Sequence, residues 1–485
     1  GTIDDLAELA TALRAKGISL CVDLVVNHTA REHEWAQQAI DGDEKYRDYY
    51  RLFPDREMPD RYEETLWEVF PDTAPGSFTW DDELGSWVWT SFHEWQWDLN
   101  YANPDVFLEM FDVMLNLANK GAEVIRLDAV PWLWKQLGTS SQNLPESHQI
   151  LRAWRALMAI AAPSVAFKAE AIVAPDNLVP YLGDDDHLEC DLAYHNQLMV
   201  MSWSALAEGK GRLMTQALSR MQPHPRHSTY VTYVRWHDDI GWAVVPEDAG
   251  AVGLDAFAHR AFLNSYYTGE FAGSPARGAR FQDNPVTGDA RMSGAAASLV
   301  GIEAALKSGD EAALDEAIRR HLLLHAVALS YGGIPLLWMG DELGMTNDYS
   351  YRDIPEWTAD NRWMHRPVMD WAAAEARNDK TSVSGRIYQE LSRLIALRTS
   401  SRRFRADNHP TALTHDNEHV LVFRRDGLLG AANWSSTDQT FDYSLLETAG
   451  VREPLDLITG GTPGFHDGRV VVPALSMLWL VEGTP

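Results

Sequence analysis

The chain has 485 residues, in which 70 Asp and Glu outnumber 41 Lys and Arg and give a net charge of −29. This charge argues against nucleic acid and anionic membranes as partners, and it suits a neutral or cationic small substrate. With 45% hydrophobic and 23% charged residues the chain is typical of globular proteins, and no apolar run approaches the ~18–20 residues of a membrane helix.

Helices and strands alternate along most of the chain. "TIDDLAELATALRAKG" predicts a helix that begins at the N-cap Thr2 and ends at Gly17, and "ISLCVDLVVNH" predicts a buried strand after it. "NPDVFLEMFDVMLNLANKG" and "LPESHQILRAWRALMAIAAP" predict helices, followed by the strands "AEVIRLDAV" and "SVAFKAEAI". Three more strands are predicted by "LECDLAYH", "STYVTYVRWHDD" and "IPLLWMGDE". Strands separated by helices imply a parallel sheet, here an α/β fold of the (β/α)8 TIM-barrel type.

The sequence predicts six barrel strands, whereas a closed barrel of this type needs eight. We expect two strands and a helix upstream of Gly1 that this sequence omits, and without them we expect the chain to be poorly soluble and inactive. The alternative is that two strands lie in the inserts 29–100, after the third barrel strand, and 242–308, after the seventh. The first insert is rich in Asp, Glu, Trp, Tyr and Pro and the second in Gly and Ala, which is atypical of buried strands.

The tail of the chain has a different pattern. After the helix predicted by "SVSGRIYQELSRLIALRTS", the stretches "EHVLVFRRDGLLGAANWS" and "RVVVPALSMLWLVEG" alternate apolar and polar residues, with turns between them. This alternation predicts an antiparallel β-sandwich. The expected domains are therefore a catalytic barrel over 1–402 and a C-terminal β-sandwich domain over 403–485.

The two cysteines, Cys21 and Cys190, both lie in apolar strand-like runs. We expect two buried thiols rather than a disulfide, which fits a reducing compartment. No signal peptide is present at Gly1, so we expect a cytoplasmic protein; secretion stays open because the sequence lacks an initiator Met. The expected assembly is a monomer or a homodimer.

Polar side chains follow five of the predicted strands. In barrels of this type the chemistry lies at the C-terminal ends of the strands. The residues at these ends are Asn27, His28, Arg126, Asp128, Lys168, Glu170, Arg235, His237, Asp238, Asp341 and Glu342. One polar residue at a strand end is usually a satisfied cap, but five such ends converge on one mouth. Asp128, Glu170 and Asp238 would suit an oxocarbenium-like transition state, in which one carboxylate attacks the sugar carbon and another protonates the leaving oxygen.

Arg126 and Asp128 are two residues apart on a strand, so their side chains are expected to point the same way. We expect Arg126 to stabilise the ionised form of Asp128, which would make that carboxylate the nucleophile. Glu170 has the apolar neighbours Ala169, Ala171 and Ile172 in the sequence. With less charge compensation it is expected to remain protonated and to act as the acid and then as the base.

Four motifs, "DLVVNH", "RLDAV", "EAI" and "RWHDDIG", resemble in order the four sequence regions of the α-amylase superfamily, glycoside hydrolase family 13. Longer stretches such as "SFHEWQWDLNYANPDVF", "AFKAEAIV", "VRWHDDIGW", "GDARMSG" and "DNRWMHRP" resemble the amylosucrases, and the similarity runs along essentially the whole chain. The resemblance implies an enzyme that cleaves sucrose, holds the glucosyl unit covalently, transfers it to the 4-OH of an α-glucan and releases fructose. It also implies that the omitted upstream sequence holds a helical domain and the first two barrel strands.

The resemblance also implies roles for individual residues. Asp128 would be the nucleophile, Glu170 the acid/base and Asp238 the stabiliser of the distorted glucosyl ring. The implied substrate-binding residues are His28, Phe92, Arg126, Ile172, His237, Asp239, Arg291 and Arg362. Arg362 resembles an arginine that closes the pocket by pairing with an aspartate of the first barrel loop, which this sequence does not contain. For Phe92, Ile172 and Arg291, packing or a surface ion pair is an equally good interpretation of the residue type.

Three rival functions remain open at this stage. A sucrose or α-glucan hydrolase would use the same carboxylates with water as the acceptor. A metal-dependent hydrolase could use His28, Asp128, Glu170, His237 and Asp238 as ligands, but Arg126 and Lys168 put positive charge where the ion would sit. A non-catalytic sugar-binding module is the weakest option, because all three acidic positions are intact. No metal or cofactor is expected for the preferred function.

Overall fold

The computed structural model describes residues 1–284 and 288–483. Residues 285–287, in the second predicted insert, and 484–485, at the end of the predicted sandwich, lie outside the described residues. The chain forms two compact units, Gly1–Tyr194 with His224–Thr229, and His195–Pro223 with Tyr230–Pro485. Among the residues that the structure describes, no helix is both long and apolar enough to cross a membrane.

The first unit is built on four parallel strands. Their order in the sheet follows the chain: Cys21–Val25, Val124–Asp128, Ala166–Ala169 and Leu192–Tyr194. The helices Ile3–Arg14, Pro104–Asn119 and Pro145–Ala161 alternate with these strands along the chain. Helical crossovers between neighbouring parallel strands are the expected connection in an α/β fold. The register pairs Val25 with Asp128, so residues at the ends of adjacent strands lie side by side.

The helix boundaries follow from local chemistry that the sequence predicts. The Thr2 hydroxyl accepts from the Asp5 amide and the Asp5 carboxylate accepts from the Thr2 amide, which is a capping box. Asn103 caps the helix that begins at Pro104, where a missing N–H costs nothing. The buried side chains of that helix recur at helical spacing: Val106, Met110, Phe111 and Met114.

The strand Cys21–Val25 differs from its prediction. Cys21, Asp23 and Val25 are exposed, whereas we expected a buried strand with a buried thiol at Cys21. Within the first unit, and among its described residues, this strand pairs on one side only, with Val124–Asp128. An apolar run predicts burial only if other elements cover both faces of the strand, and residue types alone do not reveal that cover. Cys190 is buried, as predicted.

The first insert, 29–100, forms small antiparallel sheets. His28–Ala30 pairs with Gln96–Asp98. Ser86–Trp89 lies between Leu52–Phe53 and Phe78–Asp81 in a three-stranded sheet. The helices of this segment are Glu34–Ile40, Glu44–Arg47 and Glu57–Glu63. Tyr62, Phe78 and Trp89 form an aromatic core of its own, so the many aromatic residues of this insert stabilise it locally.

In the second unit, most of the strand Thr229–Tyr233 pairs in parallel with Ile334–Leu336, with Tyr233 opposite Leu336. The segment between these strands contains the hairpin Ala279–Phe281 with Arg291–Ser293. Its helices and those that flank the two strands are Asn196–Glu208, Arg212–Ser219, Pro246–Ala251, Ala256–Thr268, Ala296–Val300, Ile302–Ser308, Glu311–Ser330, Trp371–Glu375 and Val383–Ser400. All six strands that the sequence predicts for the barrel are therefore present.

The C-terminal part is an antiparallel β domain, as predicted. A five-stranded sheet has the order Thr411–Leu413, Val420–Arg425, Leu428–Asn433, Met477–Glu482 and Pro454–Asp456, and a three-stranded sheet has the order Gln439–Asp442, Arg469–Val472 and Phe465–His466. Val422, Leu429 and Leu480 of the first sheet share one buried cluster with Phe441 and Val470 of the second. The two sheets therefore pack face to face as a sandwich.

Gly430 leaves no room for a side chain in this sandwich. It lies opposite the fully buried Phe423 in the strand register, and a Cβ at position 430 would meet the Phe423 ring well inside van der Waals contact. We expect Gly430→Ala to lower the free energy of unfolding by ~1–3 kcal/mol, because the ring or the backbone must shift. Denaturant unfolding measures the change.

The matched control is Gly461→Ala. The nearest atom to a Cβ at position 461 is the Thr459 hydroxyl, 3.9 Å away. This variant should match wild type or exceed it slightly in stability, since alanine restricts the unfolded chain. Equal stability for both variants would contradict the proposed packing at Gly430.

Candidate active site

A buried guanidinium organises the strand ends of the first unit. Arg126 Nη1 donates to Asp128 Oδ1 at 2.6 Å and to Asp23 Oδ1 at 2.7 Å. Arg126 is 4% exposed, while Asp128 is half-buried. Arg126 and Asp128 lie two residues apart on the strand Val124–Asp128, and the strand register places Asp23 opposite Arg126. The cation and the two carboxylates therefore lie together. The ion pair that the sequence predicts is present, and Asp23 joins it.

Arg126 carries a fixed positive charge. Burial by itself would lower the pKa of its guanidinium, but Glu170, Asp128, Tyr194 and Asp23 outweigh burial and raise it well above the usual range. The guanidinium therefore compensates several anionic groups at once. One of these groups, Asp128, also accepts a hydrogen bond from it, so the guanidinium orients that carboxylate.

Glu170 lies at the end of the next strand and contacts the residue that follows Asp128. The Glu170 amide donates to the Leu127 carbonyl at 2.9 Å and extends the ladder beyond Ala166–Ala169. The Ala129 amide donates to Glu170 Oε2 at 3.0 Å. This bond and the nearby Arg126 charge give Glu170 more compensation than its apolar neighbours in the sequence predict. Contacts across strands, which residue order does not reveal, account for the difference.

Ala129 has an unusual backbone conformation. Its φ of 55° and ψ of 34° lie in the left-handed region, and its side chain is buried. This conformation costs a non-glycine residue on the order of 1–2 kcal/mol. It turns the chain sharply after Asp128 and aims the Ala129 amide at Glu170. No sequence signal pointed to Ala129, because alanine is not typical of left-handed positions.

His28 and Phe92 form an aromatic wall in the first unit. Their ring centroids are 5.1 Å apart, and Phe92 also packs against Trp132 at 5.3 Å. The His28 ring nitrogens contact the side-chain amides of Asn27, at 3.3 Å, and Gln96, at 2.9 Å. Burial lowers the pKa of His28, so a neutral imidazole is favoured near pH 7.

Ile172 and Lys168 belong to the same unit. Ile172 is half-buried two residues after Glu170. The Lys168 ammonium lies 5.0 Å from the centre of the Tyr194 ring, and burial lowers its pKa. The first unit thus contains six of the predicted site residues: His28, Phe92, Arg126, Asp128, Glu170 and Ile172.

The second unit brings together the other five predicted residues. His237 Nε2 lies 3.2 Å from Asp238 Oδ2, and Arg362 Nη1 lies 3.5 Å from Asp238 Oδ1. Arg291 Nη1 is 3.7 Å from Asp239 Oδ2. Burial raises the pKa of Asp239, and the charge of Arg291 opposes that effect. The sequence motifs therefore identified a real cluster of charges in this unit.

Arg362 has a partner that the sequence analysis missed. Asp360 binds it in a bidentate pair, with Nε to Oδ1 at 2.9 Å and Nη2 to Oδ2 at 2.7 Å. The guanidinium also lies over the Phe281 ring, 4.7 Å from its centre. We expected Arg362 to depend on an aspartate that this sequence lacks, whereas it is already held two residues away. The Asp-x-Arg spacing in "DNRW" was the available signal.

Three more side chains contact the backbone carbonyls of His237 and Asp238. Arg366 Nε donates to the His237 carbonyl at 2.7 Å, and His365 Nε2 lies 2.9 Å from the same oxygen. The buried Arg235 donates to the Asp238 carbonyl, and burial lowers its pKa to about 10. These bonds fix the backbone from which the Asp238 side chain projects. The described residues contain no group of three or more His, Cys, Asp or Glu that could hold a metal ion.

Comparison with known proteins supports the interpretation of these motifs. Residues 1–241 match the α-amylase catalytic-domain family. The chain is 31% identical over 392 residues to the trehalose synthase/amylase TreS of Mycolicibacterium smegmatis, a match that covers 80% of this chain and 58% of the relative. It is 27% identical over 448 residues to the glucosylglycerate phosphorylase of Escherichia coli, a match that covers 90% of this chain and 75% of the relative. The chain thus spans a little under three fifths of the length of TreS.

A solved structure shows the same fold. The trehalulose synthase MutB from Pseudomonas mesoacidophila MX-45 superposes with a TM-score of 0.65 at 17% identity, covering 99% of this chain and 86% of MutB. These relatives are not named as amylosucrases, so the narrower resemblance to amylosucrases remains a prediction. Residues 1–241 therefore match an α-amylase catalytic domain in sequence, and the strand-end carboxylates and the fold are consistent with that match.

Proposed function

We propose that the chain is a retaining glucosyltransferase that cleaves sucrose and transfers the glucosyl unit to an α-1,4-glucan, with release of fructose. The observation that carries the proposal is the pairing of Asp128 with Arg126, next to a Glu170 that is anchored through the Ala129 amide. The proposal of sucrose as donor rests on the amylosucrase-like motifs. Relatives whose names refer to trehalose and glucosylglycerate support a glucoside donor in general.

In the first half-reaction Asp128 attacks the anomeric carbon of the glucosyl unit, and Glu170 donates a proton to the departing fructose oxygen. Asp128 Oδ1 accepts from Arg126, so we assign the attack to Oδ2. Glu170 Oε2 accepts from the Ala129 amide, so we assign the proton transfer to Oε1. The bond from Asp128 to carbon forms as the bond from carbon to fructose oxygen breaks.

In the second half-reaction Glu170 removes the proton from an acceptor hydroxyl, which attacks the anomeric carbon and releases Asp128. Two displacements at one carbon restore the original configuration. Asp238 is assigned to the stabilisation of the distorted ring on the strength of its motif. His28 and Phe92 are proposed to contact the sugar ring, and His237, Asp239, Arg291, Arg362 and Ile172 to line the donor and acceptor positions.

The main alternative is hydrolysis, in which water replaces the sugar acceptor. The carboxylates are the same in both reactions, so acceptor choice depends on the surrounding loops. Phosphate is a further acceptor to test, because the relative from Escherichia coli is named a glucosylglycerate phosphorylase.

The first prediction distinguishes these acceptors. With sucrose alone, the enzyme should release fructose in excess over free glucose and extend an α-glucan, as measured by chromatography of the products. Equal fructose and glucose without glucan would replace the proposal with hydrolysis. Glucose 1-phosphate, formed only when inorganic phosphate is added, would replace it with phosphorolysis.

The second prediction concerns the nucleophile. Asp128→Asn should reduce fructose release from sucrose by at least ~10³-fold, because the amide cannot form the glucosyl ester. The control is Asp112→Asn, which changes an exposed carboxylate on the helix Pro104–Asn119 and should retain wild-type activity. An Asp128→Asn protein with near wild-type rates and an unchanged melting temperature would rule out this role.

The third prediction separates Glu170 from Asp128. Glu170→Gln removes the proton donor, so it should lose most activity on sucrose but retain the first step with α-glucosyl fluoride, whose leaving group needs little protonation. A fluoride electrode measures this step, with Asp128→Asn as the variant expected to be inactive on both donors. Equal losses on the two donors in Glu170→Gln would show that Glu170 is not the acid.

A further inference from the structure

A buried cation in the first unit is linked through its neighbours to the aromatic wall of His28 and Phe92. Lys135 Nζ is 2.6 Å from Asp98 Oδ2, and the two side chains are 1% and 0% exposed. Lys135 follows the apolar stretch "VPWLW" after Asp128, and Asp98 ends the strand Gln96–Asp98 of the insert. The sequence predicts no role for either residue, because their 37-residue separation gives no pairing signal.

Every polar group of this pair has further partners. Lys135 Nζ also donates to Asn27 Oδ1 at 3.1 Å and to the Trp132 carbonyl, which uses all three ammonium donors. Asp98 accepts from Asn27 Nδ2 at 2.9 Å, and from the amide and hydroxyl of Ser91 at 2.9 and 2.6 Å. The network is therefore fully hydrogen-bonded, as a buried ion pair must be to persist.

The network reaches the aromatic wall of His28 and Phe92 by two routes. Asn27, which contacts both Lys135 and Asp98, also contacts His28 Nδ1 at 3.3 Å. Trp132, whose carbonyl accepts from Lys135, packs its ring against Phe92, which in turn packs against His28. The same ammonium thus ties together the end of the strand Cys21–Val25, the end of the insert and the loop that begins after Asp128.

Stability alone is a poor explanation for an ion pair in this place. Burial lowers the pKa of Lys135, and the charge of Asp98 opposes this effect. Replacing a buried ion pair by apolar side chains is often neutral or stabilising, so such a pair is weak evidence for a purely structural role. A directional network is instead suited to fixing neighbouring groups in one geometry.

We propose that Lys135 is a positioning residue for glucosyl transfer, which holds His28 through Asn27 and holds the loop after Asp128 through Trp132. This inference rests on the proposed function, because it takes His28 and Asp128 as the groups that meet the glucosyl ring. Lys135 itself contacts neither the substrate nor the reacting atoms. Displacement of a positioned group by about 1 Å can cost on the order of 100-fold in rate.

The test uses a pair of variants that separates stability from positioning. Lys135→Met leaves the Asp98 carboxylate buried without its contacting cation, so both the melting temperature and activity should fall. The double variant Lys135→Met/Asp98→Asn removes both charges, and its melting temperature should recover part of the loss. Its kcat/KM on α-glucosyl fluoride should remain about 10- to 100-fold below wild type, because the link from the ammonium to Asn27 is still missing.

Arg152→Met is the matched control in the same unit. Arg152 Nε donates at 2.8 Å to Glu189 Oε1, whose side chain is fully buried, so the variant also removes a cation from a buried carboxylate. It should lower the melting temperature and leave kcat/KM within about twofold of wild type. If Arg152→Met loses kcat/KM as the double variant does, the loss reflects destabilisation and the proposal is overturned.

A mutant cycle that includes Asn27→Ala tests whether Lys135 acts on His28 through Asn27. If Lys135 acts through Asn27, the kcat/KM losses of Asn27→Ala and of the double variant should not multiply when combined. Fully multiplicative losses, or wild-type kcat/KM in the double variant, would overturn the positioning role. A wild-type enzyme that consumes α-glucosyl fluoride but not sucrose would overturn only the proposed donor.

Discussion

The charge of Arg126 is the constraint on which the first unit depends. Its guanidinium is buried, yet it contacts carboxylates on its own strand and on the strand beside it. Without that cation, Asp23 and Asp128, which lie two register positions apart on the paired strands, would repel each other. With it, the two strand ends are held together, and the half-buried Asp128 side chain is fixed by a hydrogen bond. The fold and the proposed chemistry therefore use the same ion pair.

The second unit also compensates carboxylates with arginine side chains, and it uses more of them. Three carboxylates of this unit lie near one another and are compensated by three guanidinium groups. The carboxylates belong to Asp238, Asp239 and Asp360, and the guanidinium groups to Arg291, Arg362 and Arg366. The carbonyls of His237 and Asp238 are also held by arginine side chains. A carboxylate on a fixed backbone needs little rearrangement to meet a developing positive charge, which is the requirement for electrostatic preorganisation.

Much of this architecture could be predicted from the sequence, because local rules determined it. The capping box at Thr2, the proline that begins the helix at Pro104 and the alternation after Arg403 each predict an element that is present. The Arg126–Asp128 pair follows from the two-residue period of a strand. Because this predicted pair is present, strand periodicity correctly indicated which two side chains meet here.

The features that could not be predicted depend on contacts between distant segments. The exposure of Cys21 depends on what covers its strand, and the compensation of Glu170 depends on the amide of Ala129, the residue that follows the neighbouring strand. Lys135 and Asp98 meet only because the first insert returns to the strand end from which it left. None of these contacts leaves a mark in composition or periodicity.

The left-handed backbone of Ala129 limits how this site can vary. A residue branched at Cβ is a poor fit to positive φ, and the position is buried as well, so valine, isoleucine or threonine there would be disfavoured twice. Glycine alone would adopt this turn without strain, but its more flexible backbone would hold less firmly the amide that donates to Glu170. In a saturation library, position 129 should therefore accept very few residues, although its side chain bears no reactive group.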